Sequence, residues 1–239
     1  MAMGLYEDSP GEGALPHKPI PLAVSLVVEQ AIRFAWEMMR RHPRENFRLH
    51  REDEDPVTAE LWERLSNEVF NRNIVRGFDT TLLTMPMREP KISNYDRSNT
   101  ELMPDMVIGL VGRSGVAIPN QDMLFIECKP VQVGRAAGAH YCDRGIIRFV
   151  RGDYAWAMTS ALMVGYATKS YRIAPKLTTA LRARTKIFTT VFPQRCQRSP
   201  ASASSEPTHI TEHRRNFRYK QTGAQAPPVT LRHLWLKRD

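Results

Sequence analysis

One apolar run ends in charge: Met123-Leu124-Phe125-Ile126-Glu127-Cys128-Lys129-Pro130. Its composition marks a buried strand, and along a strand the side chains alternate faces. Glu127 and Lys129 therefore share one face, while Cys128 takes the other. Burying a carboxylate and an ammonium is costly unless a partner or a metal compensates. A second run, Pro104-Asp105-Met106-Val107-Ile108-Gly109-Leu110, lies just upstream. Gly112-Arg113-Ser114-Gly115 and Ile118-Pro119-Asn120 separate the two, a turn-rich connection that predicts a hairpin. Asp105 then enters one strand where Glu127 and Lys129 end its partner, and all three converge at one edge of the sheet.

The surrounding pattern alternates helices and strands. Pro21 to Arg41 predicts a helix that stops at Arg40-Arg41-His42-Pro43. A charged connector, Arg44 to Asp55, precedes a second helix that starts near Pro56. Val57, Leu61, Leu65 and Val69 form its apolar stripe, and Glu68 falls on that stripe, so it calls for a partner. Phe78 to Met87 predicts a strand, and Arg88 to Thr100 a polar loop. Beyond Pro130, a Gly/Ala-rich stretch, Gly134 to Ala139, leads into His140 to Val150. Helices are predicted over Tyr154–Ala167 and Ala174–Arg184. Arg198 to Pro207 has linker composition. Two short strands, near Thr208–Thr211 and Val229–Leu236, close the chain. The expected organisation is a tail and helix over 1–55 followed by one α/β domain over 56–239.

Composition narrows the setting. Cys128, Cys142 and Cys196 fit no zinc spacing and cannot all pair, which points to a reducing, cytoplasmic environment. The acidic start has no signal-peptide pattern and no stretch reaches the ~20 apolar residues of a membrane span, so a soluble protein with no membrane partner is expected. Net charge is +9, and residues 170–239 hold fourteen Lys or Arg against three acids. Such a basic third concentrates phosphate polyanions without conferring sequence specificity. Within it, Arg214, Arg215, Arg218 and Lys220 are candidates for a clamp on a phosphate backbone. Arg148, after the charged strand, could hold a phosphate through its planar fork. His209 and His213 lack the Cys or acidic partners expected of a zinc site.

Clustered carboxylates repel unless a cation intervenes, and a hard divalent ion makes them ligands. Asp105 and Glu127, with Glu68 from the preceding helix, would then bind Mg2+, with Mn2+ as a substitute. Lys129 would hold the attacking water or stabilise the added charge on phosphorus. The reaction class this suits is metal-assisted phosphodiester hydrolysis. Pro104-Asp105 followed by Glu127-Cys128-Lys129 on an apolar strand resembles the signature of the PD-(D/E)XK nuclease superfamily, over roughly Pro56 to Ala167. The resemblance implies a restriction-endonuclease-like core: a central mixed sheet flanked by helices, here with an N-terminal helical extension. It also implies Asp105 and Glu127 as metal ligands, Lys129 as the catalytic lysine and Glu68 as the helix acid. The implied substrate is nucleic acid, DNA favoured over RNA, in phage defence or repair, and a homodimer is compatible with it. The rival expectation is a catalytically inactive nucleic-acid-binding or regulatory module on the same fold.

Overall fold

The charged run is an inner strand of a seven-stranded mixed sheet. The computed structural model describes residues 14–132, 136–198 and 204–239. Residues 1–13 of the N-terminal tail, Val133 with 134–135 of the Gly/Ala-rich stretch, and 199–203 of the expected linker lie outside them. The elements run α1 (Leu22–Arg41), α2 (Glu54–Glu63), β1 (Met87–Arg88), β2 (Met106–Gly109), β3 (Met123–Val131), α3 (Ile147–Arg151), β4 (Ser160–Ala167), α4 (Ile173–Arg182), β5 (Thr189–Arg195), β6 (His209–His213) and β7 (Val229–Lys237). Two helices are partly wound in π geometry: Arg64–Phe70 continues α2, and Ala137–Ile146 leads into α3. Spatial order is β1-β2-β3-β4-β7-β6-β5. The strands β1, β2 and β3 are antiparallel, β3, β4 and β7 parallel, and β6 and β5 antiparallel again. A parallel β3–β4 pair needs a crossover, and the helix over 137–151 supplies it.

Register sorts the two faces. Glu127 pairs with Met163, Met163 with His233 and His233 with His209, so one row crosses four strands. The crossover helix covers this face. The next row holds Lys129, Gly165 and Trp235. A Cβ on Gly165 would lie 2.4 Å from the Trp235 ring, so only glycine lets that indole lie across β4. The opposite face is covered by α1, where Trp36 stacks on Tyr166 at 5.4 Å and Glu29 pairs with Arg232 at 2.5 Å. The helix expected as an extension thus packs into the same apolar core as the sheet.

Buried polar side chains on the crossover face join in one line. Tyr141 Oη donates to the Met163 carbonyl and lies 2.9 Å from His233 Nδ1. Thr211 Oγ1 is 2.7 Å from both His233 Nε2 and His213 Nε2, and Thr189 Oγ1 is 3.1 Å from His213 Nδ1. With one proton per hydroxyl, a single assignment satisfies every link among these side chains, leaving the 3.4 Å contact of Thr189 Oγ1 with the Ile187 carbonyl without a proton. His233 carries its proton on Nδ1 and gives it to Tyr141, Thr211 donates to His233, His213 donates from Nε2 to Thr211, and Thr189 donates to His213. Both imidazoles are neutral. Burial holds His213 down to about 3, and burial together with His213 and His209 holds His233 well below the usual histidine range.

Four expectations change. Tyr154–Ala167 is not a helix: its second half is strand β4, buried along almost its whole length. A parallel strand covered on both faces reads as a continuous apolar run, which periodicity cannot tell from a buried helix. Phe78–Met87 is mostly turns, with Leu83 bridging Leu110 and only Met87–Arg88 in a strand. Strand β5 was absent from the expected elements. The end of the expected linker packs tightly: Ser204, Ser205 and Glu206 are buried, and Glu206 pairs with Lys237 at 2.9 Å. Among the described residues, no helix is long and apolar enough to cross a membrane.

A depressed histidine is neutral in the fold but charges in the unfolded chain, so its contribution is intact above pH ~6.5 and lost as pH falls below it. Between pH 7.5 and 5, wild type should lose about 2 kcal/mol more unfolding free energy than His213→Gln. Parallel urea unfolding curves check this, and equal losses would contradict the buried neutral assignment.

Candidate active site

The antiparallel register Met106↔Ile126 brings Asp105 beside Glu127 one step further along. Asp105 fixes itself there by accepting a hydrogen bond from the Cys128 backbone N–H at 2.6 Å. Lys129 Nζ stands between three carboxylates: 2.6 Å from Glu54 Oε1, 2.9 Å from Glu127 Oε1 and 3.3 Å from Asp105 Oδ2. It also donates to the Cys128 carbonyl at 2.9 Å. The crossover helix passes close over the lysine stem because residue 145 is glycine, where a Cβ would come 3.6 Å from Lys129 Cγ and 2.6 Å from Met163 Cε.

Burial and crowding set the protonation states. Glu127 is pushed up to about 8, by burial first and then by Asp105. Burial also raises Asp105 and Glu54 despite the nearby ammonium. Burial pulls Lys129 down, but Glu127, Asp105 and Glu54 outweigh it and hold the lysine above its ordinary value. The second Glu127 oxygen, Oε2, is buried with no hydrogen-bond partner.

Arg148 joins the group. Its Nε is 3.8 Å from Glu127 Oε1, and its Nη1 donates to Tyr154 Oη, which donates to the Met103 carbonyl. The guanidinium also lies 5.1 Å from the Tyr154 ring centre. A cleft of ≈ 320 Å³ opens beside Glu54, lined by Asp53, Glu54, Asp55, Pro56, His140 and Arg144.

Glu68 is not brought in. Its carboxylate is taken by Arg64 at 2.7 Å, four residues back, and the same arginine holds Glu60 at 2.7 Å. The helix acid beside Lys129 is instead Glu54, in the first turn of α2. The apolar stripe predicted which helix face is buried but not which end meets β3. The acid run before Pro56, at a helix start, was the available signal. Arg215 is also corrected. It is buried, with its guanidinium donating to the carbonyls of Ala155, Trp156 and Met158, so it braces a loop and offers no surface charge. Arg214, Arg218 and Lys220 are exposed. Arg214 lies over Phe188, Arg218 donates to the Gly223 carbonyl and Lys220 to the Asp96 carbonyl.

The donor set suits a hard divalent cation, since Asp105 and Glu127 adjoin and Glu127 Oε2 is buried without a partner. Among the described residues, no three Asp, Glu, His or Cys side chains form a ready-made metal site, and the Lys129 ammonium stands where the carboxylates meet. Compared with protein-family models, curated proteins and solved structures, the chain matches none of them.

Lys129→Met leaves buried carboxylates unpaired and should cost about 3–5 kcal/mol at pH 8. At pH 5, where these groups take up protons, the loss should shrink. Chemical unfolding at both pH values measures it, and a pH-independent loss would point to packing alone.

Proposed function

We propose that this protein is a divalent-metal-dependent nuclease on a restriction-endonuclease-like core. The observation that carries the reading is the convergence of Asp105, Glu127 and Glu54 on Lys129, with one Glu127 oxygen unpartnered. The order helix α2, three antiparallel strands, crossover helix and parallel strand β4 supports the same core.

Asp105 and Glu127 would hold the cation, with Glu54 at their side. Bound Mg2+ or Mn2+ supplies a more acidic water and screens charge on the phosphoryl group. Lys129 donates its protons toward the phosphoryl oxygens as negative charge builds on them. Glu54 and Glu127 aim that ammonium, which an unpaired lysine could not keep fixed. Arg148, held by Tyr154, orients a phosphate through its planar fork. Glu127 would have to be ionised to ligate a cation, so it would give up its proton on doing so. DNA is favoured over RNA by the resemblance of the Asp105 and Glu127-Cys128-Lys129 pattern.

One observation favours the second reading, a nucleic-acid-binding module without catalysis: the lysine itself already neutralises the acids. Labelled single- and double-stranded DNA and RNA, incubated with Mg2+, Mn2+ or EDTA, separate the two. Metal-dependent cutting should fall about 10²–10³-fold in Lys129→Ala. Glu127→Gln should abolish it, whereas Glu68→Gln should leave it near wild type. Salt-sensitive binding with no cleavage under any metal would give the second reading the lead.

Because Glu127 sits at about 8 in the free protein, binding a cation below that pH displaces about one proton. Apparent Mn2+ affinity should rise about tenfold per pH unit toward pH 8 and then level off. Titration of Mn2+ by its paramagnetic resonance signal checks this, and a flat profile between pH 6 and 8 would show that no proton leaves Glu127 on binding.

A further inference from the structure

Between Ser170 and Arg198 the chain carries seven Lys or Arg and no acid. Strand β5 lies in this stretch, at the end of the sheet away from β1. Its side chains are half-buried or exposed throughout, and Phe188, just before it, and Phe192, within it, are both exposed. Phe188 is 55% and Phe192 37% exposed, unusual for a ring that could pack inward. Each carries an arginine on its face: Arg214 lies 4.8 Å from the Phe188 centre and Arg182 5.6 Å from that of Phe192. Two exposed aromatic rings, each paired with a guanidinium, combine base-stacking faces with phosphate-binding charge, and the one carboxylate on the neighbouring strand, Glu212, is taken up by Thr190 Oγ1 at 2.6 Å.

We infer that Phe188 and Phe192, with Arg182 and Arg214, form a platform that binds unpaired nucleotides of a single strand. Stacking on such rings tolerates any base, since every base has a π-face, and it requires that the bases be unpaired. A duplex keeps its bases stacked on one another and offers only its backbone. A cleft of ≈ 390 Å³ runs from Ile187, next to Phe188, to the helix that carries Arg148, lined by Asp143, Ile147, Arg151, Arg184 and Lys186 among others, with Asp143 paired to Arg184 at 2.8 Å. Arg151 follows Arg148 by one helical turn, and Arg148 reaches Glu127. Arg148, Arg151 and Lys186, with Asp143 neutralised by Arg184, leave a net positive path between the carboxylates and Phe188. Four strand spacings separate β5 from β3, roughly 19 Å. The inference rests on the nuclease reading for its meaning, as it names single-stranded nucleic acid as what that site receives.

A second copy of the chain is the other occupant an outer strand invites, and β5 is built against it. Pro193 removes one backbone donor, the pairing with β6 shifts register twice, and the flanking arginines repel a like surface.

Fluorescence anisotropy tests the platform in EDTA, so that no cleavage is needed. The probes are a labelled 20-nucleotide oligothymidine, the same length of oligouridine, an abasic 20-mer and a 20-base-pair duplex. Wild type should bind the two base-bearing single strands at least about tenfold more tightly than the abasic strand. The double variant Phe188→Ala/Phe192→Ala should lose at least about tenfold on those strands and leave duplex and abasic binding within about twofold. Arg182→Gln/Arg214→Gln should flatten the salt dependence. Equal binding of abasic and base-bearing strands, or unchanged oligothymidine binding by the phenylalanine variant, overturns the inference. So does a wild-type dimer that the phenylalanine variant converts to monomer in light scattering. Cleavage assays score the nuclease reading separately: cutting without the base-dependent term sinks only the platform, and base-dependent binding without cutting sinks only the nuclease.

Discussion

The ammonium of Lys129 is a full charge placed inside the sheet, and much of the architecture answers it. Taking such a charge out of water costs several kcal/mol even after relaxation, so it persists only where counter-charges and hydrogen bonds are already in position. Here they arrive from three separate pieces of chain. Glu127 comes from two residues back on the same strand, Asp105 from the hairpin partner and Glu54 from the first turn of α2. The hairpin register, the Asp105 bond to the Cys128 N–H and the close pass of the helix at Gly145 all bear on whether those atoms meet. One residue of slip in β3 would turn Glu127 and Lys129 to the opposite face.

That opposite face meets a different need. On it, Cys128 and Tyr166 lie under α1 and α2, Tyr166 shares a hydrogen bond with Thr58, and Trp36 stacks on its ring. Glu29 and Arg232 form a further buried pair there. On the site face, the line from Tyr141 through His233 and Thr211 to His213 satisfies polar atoms without any net charge. The charges of this face are thereby confined to the end of β3, next to the cleft, and the interior beyond it stays neutral.

The excess positive charge divides by depth. Arg215, Arg232 and Lys237 are buried and tie loops and strands together through carbonyls and carboxylates. Nine others of the basic third, Arg182, Lys186, Arg195, Arg214, Arg218 and Lys220 among them, remain at the surface. Only the second group can meet a polyanion, so the proposed nucleic-acid reading rests on fewer residues than the bulk charge suggests. Arg182, Arg195 and Arg214 lie on or against β5 and Phe188 just before it, at the far end of the sheet from β1.

The residues alone determined the hairpin of β2 and β3, the pairing of Glu127 with Lys129 on one face, helices α1, α2 and α4 to within a few positions, and the two closing strands. These follow from local rules: alternation, helical spacing, and stops at proline and at basic residues. What they could not determine was anything decided by distant chain. Ser160–Ala167 became a strand because β3 and β7 offered it hydrogen bonds on both sides, and an apolar run suits either outcome. Glu54 displaced Glu68 because α2 meets β3 at its N-terminal end while Arg64 holds Glu68 elsewhere. Arg215 turned inward because a loop presented three carbonyls to its guanidinium. Sequence spacing reports which residues share a face, whereas the docking of one element on another decides which charges meet.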